Sequence, residues 1–155
     1  MKKKRTLSTI LLILLIIAFL ASGGYLFHYF WMAKQTENEL SQLQQIRQEA
    51  FSDTEEETEV KSETGRSIQK GYRKLYKKNS DLIGWVTVKN TKIDYPILKD
   101  KDVYYLKHTF DKKYNSNGSI FTTNSYPFED KETIVYGHNM KNGSMFSDLG
   151  KYLNK

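Results

Sequence analysis

The 155 residues contain no cysteine. Disulfides, a thiol nucleophile and thiolate metal sites are therefore excluded within them. Histidine is scarce as well. His28, His108 and His138 lie too far apart in sequence to form a metal-ligand pair, so no zinc site is expected. No charged residue occurs from Thr6 to Ala33, and Ile10 to Leu20 is almost wholly aliphatic. No internal repeat is visible. The lysines are scattered rather than grouped in a motif, which argues against a nucleic-acid partner.

The uncharged stretch is long enough to cross a membrane, which takes roughly 20 apolar residues. Residues 1–5 are a basic start that the positive-inside rule places in the cytoplasm, residues 6–33 are the expected transmembrane signal anchor, and Tyr25, Tyr29, Phe30 and Trp31 suit an interfacial belt. Ala21-Ser22-Gly23 also permits a cleaved secretory signal, but the apolar run continues beyond it. An uncleaved single-pass anchor with the rest of the chain outside the cell is the preferred reading. The net charge of +6 is uneven: five basic and no acidic residues in 1–34, two basic and nine acidic in 35–64, and seventeen basic and nine acidic in 65–155.

Residues 34–64 read as a polar helical stalk followed by an acidic spacer. Leu40, Leu43, Ile46 and Ala50 form a thin apolar stripe, and Ser52 to Thr64 is almost free of apolar side chains. From Gly65 the pattern changes. Ile68, Tyr72, Leu75 and Tyr76 fall on one helix face ending near Asn79-Ser80. Ile83–Val88, Ile93–Leu98, Ser119–Thr123 and Thr133–Tyr136 read as strands. Pro96 cannot donate a ladder hydrogen bond, which predicts an edge or a bulge. Ser144 is expected to cap a last helix with Met145, Phe146, Leu149, Tyr152 and Leu153 on its apolar face. Four short strands do not close a barrel. The fold expected is mainly β with helices, an incomplete barrel over 65–155.

The strings "NSDLIGWVTVKNTKIDYPIL", "DVYYLKHTF", "NGSIFTT" and "TIVYGHNMKNGSMFSDLGKYL" resemble the first half of a class B sortase catalytic domain, over roughly residues 65–155. Sortases are membrane-anchored cysteine transpeptidases. The resemblance implies a sortase-like β-barrel in which a cysteine attacks the threonine carbonyl of a sorting motif on a secreted protein. An amine of the cell-wall precursor then resolves the acyl-enzyme. The partners implied are thus the sorting-motif segment, that amine and the membrane, and no cofactor is implied. His138 matches the family's catalytic histidine, which takes and returns the thiol's proton. Leu106 matches a position near the substrate groove of relatives, Tyr136 reads as a strand residue at the rim of the site, and both are candidate substrate contacts. Asp102 stands where relatives often carry asparagine. The family's Thr-Leu-x-Thr-Cys segment and the arginine beyond it have no counterpart here, so the chain is expected to be truncated and inactive alone. The alternatives are a non-catalytic membrane-anchored remnant and an extracytoplasmic binding module.

Overall fold

A single α-helix, α1, runs from Lys2 to Ser52. The structure, a computed structural model, describes residues 2–52, 59–63, 65–123 and 132–153. The chain divides into two compact units, Met1–Lys34 and Gln35–Lys155. In the first, the side chains from Ile10 to Ile17, with Phe19, Leu20 and Phe27, are about half or more exposed, as a lipid-facing surface would be. Among the described residues, α1 is the one helix long and apolar enough to cross a membrane.

The second unit is built on three strands: β1 (Leu82–Thr87), β2 (Asp94–Lys99) and β3 (Ile120–Thr122). Order is β1-β2-β3, with β1 antiparallel and β3 parallel to β2. Among the described residues this sheet is not closed, and its strands of 6, 6 and 3 residues are few beside the 51-residue α1. The expectation of a mainly β protein is corrected accordingly. The predicted strand at 133–136 is reduced to one bridge, Tyr136 opposite Phe121, with backbone bonds of 3.0 and 2.7 Å.

β2 is buried on both faces. The alternation of Ile93, Tyr95 and Ile97 builds one core cluster with Ile120 and Met145. Leu98 faces the other cluster with Leu43, Leu75, Leu82, Tyr105, Phe110 and Phe121. Pro96 lies in this central strand, opposite Trp85, and not at an edge. The Val88 N–H to Ile93 C=O bond sets the antiparallel alternation and makes Trp85–Pro96 a non-hydrogen-bonded pair, so β1 asks no donor of the proline. The β3 ladder starts one residue later, at Ile97, so the missing donor falls where no acceptor waits.

The segment read as a stalk contributes to this core. Leu43 is fully buried, and Leu40 and Ile46 pack around it. Gln44 Nε2 donates to Asp94 O at 2.9 Å, and Arg47 sits 3.4 Å from the Asp94 carboxylate with its guanidinium over Trp85. The sequence placed the domain boundary after residue 64, whereas residues 35–52 pack with the sheet and the compact unit starts at Gln35. Of the predicted acidic spacer, residues 53–58 and 64 lie outside the described residues. Helix α2 (Lys70–Lys78) follows, with Leu75 buried and Asn79 at its C-cap.

Glu39 on α1 is half-buried, and its carboxylate accepts the Asp111 N–H at 3.0 Å. Burial raises its pKa above the ordinary 4.5, outweighing the Asp111 and Thr109 hydrogen bonds. A raised carboxylate favours the fold below its unfolded pKa, and that contribution is lost as pH rises through the folded value. Glu39→Gln keeps an oxygen for the Asp111 N–H. It should melt higher than the parent protein at about pH 7 and equal to it near pH 4, as thermal unfolding at the two pH values would show.

Candidate functional site

His138 follows Gly137 at the edge of the sheet, and backbone contacts fix it on both sides. Upstream is the Tyr136–Phe121 bridge, reinforced by stacking of the two rings at 5.5 Å. Downstream, Phe146 N–H donates to His138 O at 2.9 Å and Asn139 bridges Met145. Gly137 leaves no space for a side chain: a methyl there would overlap Ile120 Cδ1 and lie 2.9 Å from the Phe146 ring. The ring of His138 is partly exposed.

His138 Nε2 lies 2.8 Å from Leu106 O. A carbonyl only accepts, so Nε2 carries the proton and Nδ1 is left as the basic nitrogen of the neutral ring. The two predicted positions thus meet, though through the main chain of Leu106; its side chain packs partly against the first core cluster. Tyr136 sits two residues before His138 on the bridge and is 41% exposed. Asp102 is exposed, and its N–H is bonded to Asp100 Oδ1.

Leu106 ends a 3-10 helix, Tyr104–Leu106. Two supports of that turn were not singled out in the sequence. Asp100, 6% exposed, accepts the Tyr105 N–H at 2.6 Å and the Asp102 N–H at 3.0 Å. Gly118, at φ +60°, lies against the Leu106 carbonyl, where a methyl would clash with Leu106 O and stand 2.6 Å from Tyr105 O. The Gly118 turn is held in its own right. Buried Thr36 Oγ1 on α1 accepts from Asn115 Nδ2 at 3.0 Å and Asn117 Nδ2 at 3.2 Å, and Gly118 N–H donates to Asn115 O.

Polar contacts anchor the turn from below. Tyr105 Oη donates to Asp81 Oδ2 at 2.6 Å and accepts from Asn79 Nδ2 at 2.8 Å. Burial first, then the Asp81 carboxylate, raise the tyrosine pKa. Burial raises the Asp81 pKa too, but the hydrogen bonds from Lys112 and Tyr105 prevail and lower it.

The expected final helix is corrected too. Phe146–Tyr152 is a 3-10 helix, and Ser144 does not cap it: Ser144 Oγ donates to Asn142 Oδ1. Met145 precedes it at φ +53°, ψ −133°, a conformation tolerated because its side chain is buried at 1% exposure beside Ile93 and Tyr95. Leu149, Tyr152 and Leu153 are exposed, so only Met145 and Phe146 join the core. Asp148 fastens the helix to the β1–β2 turn. The Lys92 N–H and then Lys151 lower its pKa.

No family model matches the chain. Sortase B of Listeria monocytogenes is 39% identical over 158 residues, covering 100% of this chain and 61% of its own length. The crystal structure of sortase B from B. anthracis in complex with AAEK1 superposes with a TM-score of 0.66 at 28% identity, covering 81% of this chain and 57% of that one. The Staphylococcus aureus sortase B–substrate complex gives 0.62 at 29% identity, with 79% and 53% covered. The chain therefore spans little more than half the length of these proteins. Along its whole length in sequence, and by fold, the chain is similar to sortase B.

Proposed function

We propose that residues 1–155 are the N-terminal part of a membrane-tethered class B sortase and supply His138 as its proton-transfer group. The observation that carries this reading is the 2.8 Å contact of His138 Nε2 with Leu106 O, on a partly exposed ring whose backbone is pinned on both sides. It prepares Nδ1 to take a proton from a thiol and, once charged, to return it to a departing amine. The likeness to sortase B supports the reaction class.

The reaction would run in two balanced steps. A cysteine thiolate attacks the threonine carbonyl of a sorting motif on a secreted protein; the C–N bond breaks, and the leaving amine takes its proton from imidazolium. The incoming amine of the cell-wall precursor then attacks the thioester while neutral imidazole receives its proton, and the thiolate is released. No cysteine occurs among the 155 residues, so they should not turn over a sorting peptide alone. The coding sequence following Lys155 tests this. An in-frame Thr-x-Thr-Cys string followed by arginine supports the assignment, and an in-frame stop favours a non-catalytic remnant.

The same reading has α1 anchored through residues 6–33, basic end in the cytoplasm, and residues 35–155 outside the cell. A C-terminal reporter should then be protease-accessible on intact cells and sediment with membranes. Release into the medium with a new N-terminus near Gly24 would show a cleaved signal instead.

A further inference from the structure

We propose that Asp100 is a positioning residue for His138, setting which ring nitrogen carries the proton by holding the Leu106 carbonyl in place. The inference rests on the reading of His138 as the proton-transfer group. Its evidence is the chain of contacts between the two residues.

Asp100 directly follows β2, and its N–H donates to Thr122 O of β3 at 2.9 Å, so the carboxylate has a fixed origin at the end of the sheet. Each oxygen takes one backbone donor of the following turn: Oδ1 the Asp102 N–H, Oδ2 the Tyr105 N–H. Bonds to a buried carboxylate are the strong kind. They hold a turn with a conformational cost, because Val103 is at φ +53°, a region that β-branched residues rarely enter. Without the carboxylate, residues 101–103 would relax and Leu106 O would move with them. Gly118, having no side chain, leaves room for the carbonyl that meets His138 Nε2. Orientation of the imidazole, assigned in many hydrolases to a carboxylate on the ring itself, is here relayed through a main-chain oxygen.

The consequence is readable without turnover. In the 15N-histidine-labelled full chain in detergent micelles at about pH 8, above the ordinary histidine pKa, two-bond 15N–1H correlation spectra report each ring's tautomer. His138 should be the Nε2–H form. His108, whose Nδ1 faces Tyr104 O at 2.7 Å, should be the Nδ1–H form and calibrates the spectrum. Asp100→Asn is isosteric and keeps one of the two acceptors; Asp100→Ala keeps neither; Gly118→Ala displaces the carbonyl with Asp100 intact. A net hydrogen bond of ordinary strength biases a tautomer ratio about three- to tenfold, so the His138 ratio should fall by that factor in Asp100→Ala and Gly118→Ala, and by less in Asp100→Asn. Amide dispersion reports folding, and should Asp100→Ala unfold, the isosteric variant and Gly118→Ala decide. A His138 signal that stays wholly Nε2–H in the folded variants overturns the proposal. That result would leave the catalytic role of His138 standing, whereas His138→Ala without effect on turnover would remove the role and leave the relay.

Discussion

Leu43→Ala is expected to destabilise the unit formed by residues 35–155 by about 2–5 kcal/mol, a large share of the roughly 5–15 kcal/mol that stabilises an ordinary domain. Leu43 has no exposed surface and stands in one cluster with Leu75, Leu82, Leu98, Tyr105, Phe110 and Phe121. Truncation removes its transfer free energy and leaves a cavity that a helix and a sheet, both fixed by other contacts, cannot collapse. On the same helix, Gln45→Ala should stay within about 0.5 kcal/mol, because that side chain is bonded only to Glu49 at the surface. Denaturant unfolding of both variants separates a core helix from a stalk: equal midpoints would mean that residues 35–52 carry no share of the fold.

Why the sequence misplaced this boundary is physical. The stripe of Leu40, Leu43, Ile46 and Ala50 was visible, but a stripe does not name what covers it. The covering partner is a sheet face assembled from Leu82, Leu98 and Phe121, distant in the chain. Local patterns fared better. β1 and β2 fall within a residue of the runs read as strands, because alternation and turn residues are properties of neighbours. Pro96 depended on where a third strand begins, and the segment 133–136 on how much of its partner is within reach; neither is local.

The site divides in the same way. His138 was legible from the Tyr-Gly-His-Asn string, and Leu106 from its match to the family. Its hydrogen-bonding partner was not, since every residue has a main-chain carbonyl and composition cannot mark the one that faces a ring. Asp100 and Asp102 look alike in "KDKDV", although one is buried with two donors and the other lies in solvent. Gly118 reads as an ordinary turn glycine, and its second task, yielding space to the Leu106 carbonyl, appears only in three dimensions.

The second large effect concerns the chemistry, and its measurement bears most directly on the central claim. Residues 1–155 can be joined to the segment of Listeria monocytogenes sortase B that lies beyond the aligned region, which by the family resemblance carries the cysteine and arginine. The 39% identity and shared fold predict that the two parts complete one domain. Loss of a positioned acid–base group costs about 10²–10⁴-fold in rate. The quantity to measure is kcat/KM for cleavage of a sorting peptide by this chimera and by its His138→Ala variant, with folding of both verified by a cooperative melt. The account predicts turnover by the chimera and a fall of at least about 10²-fold on removal of the imidazole. A folded His138→Ala chimera that cleaves the peptide at the unsubstituted rate would contradict it.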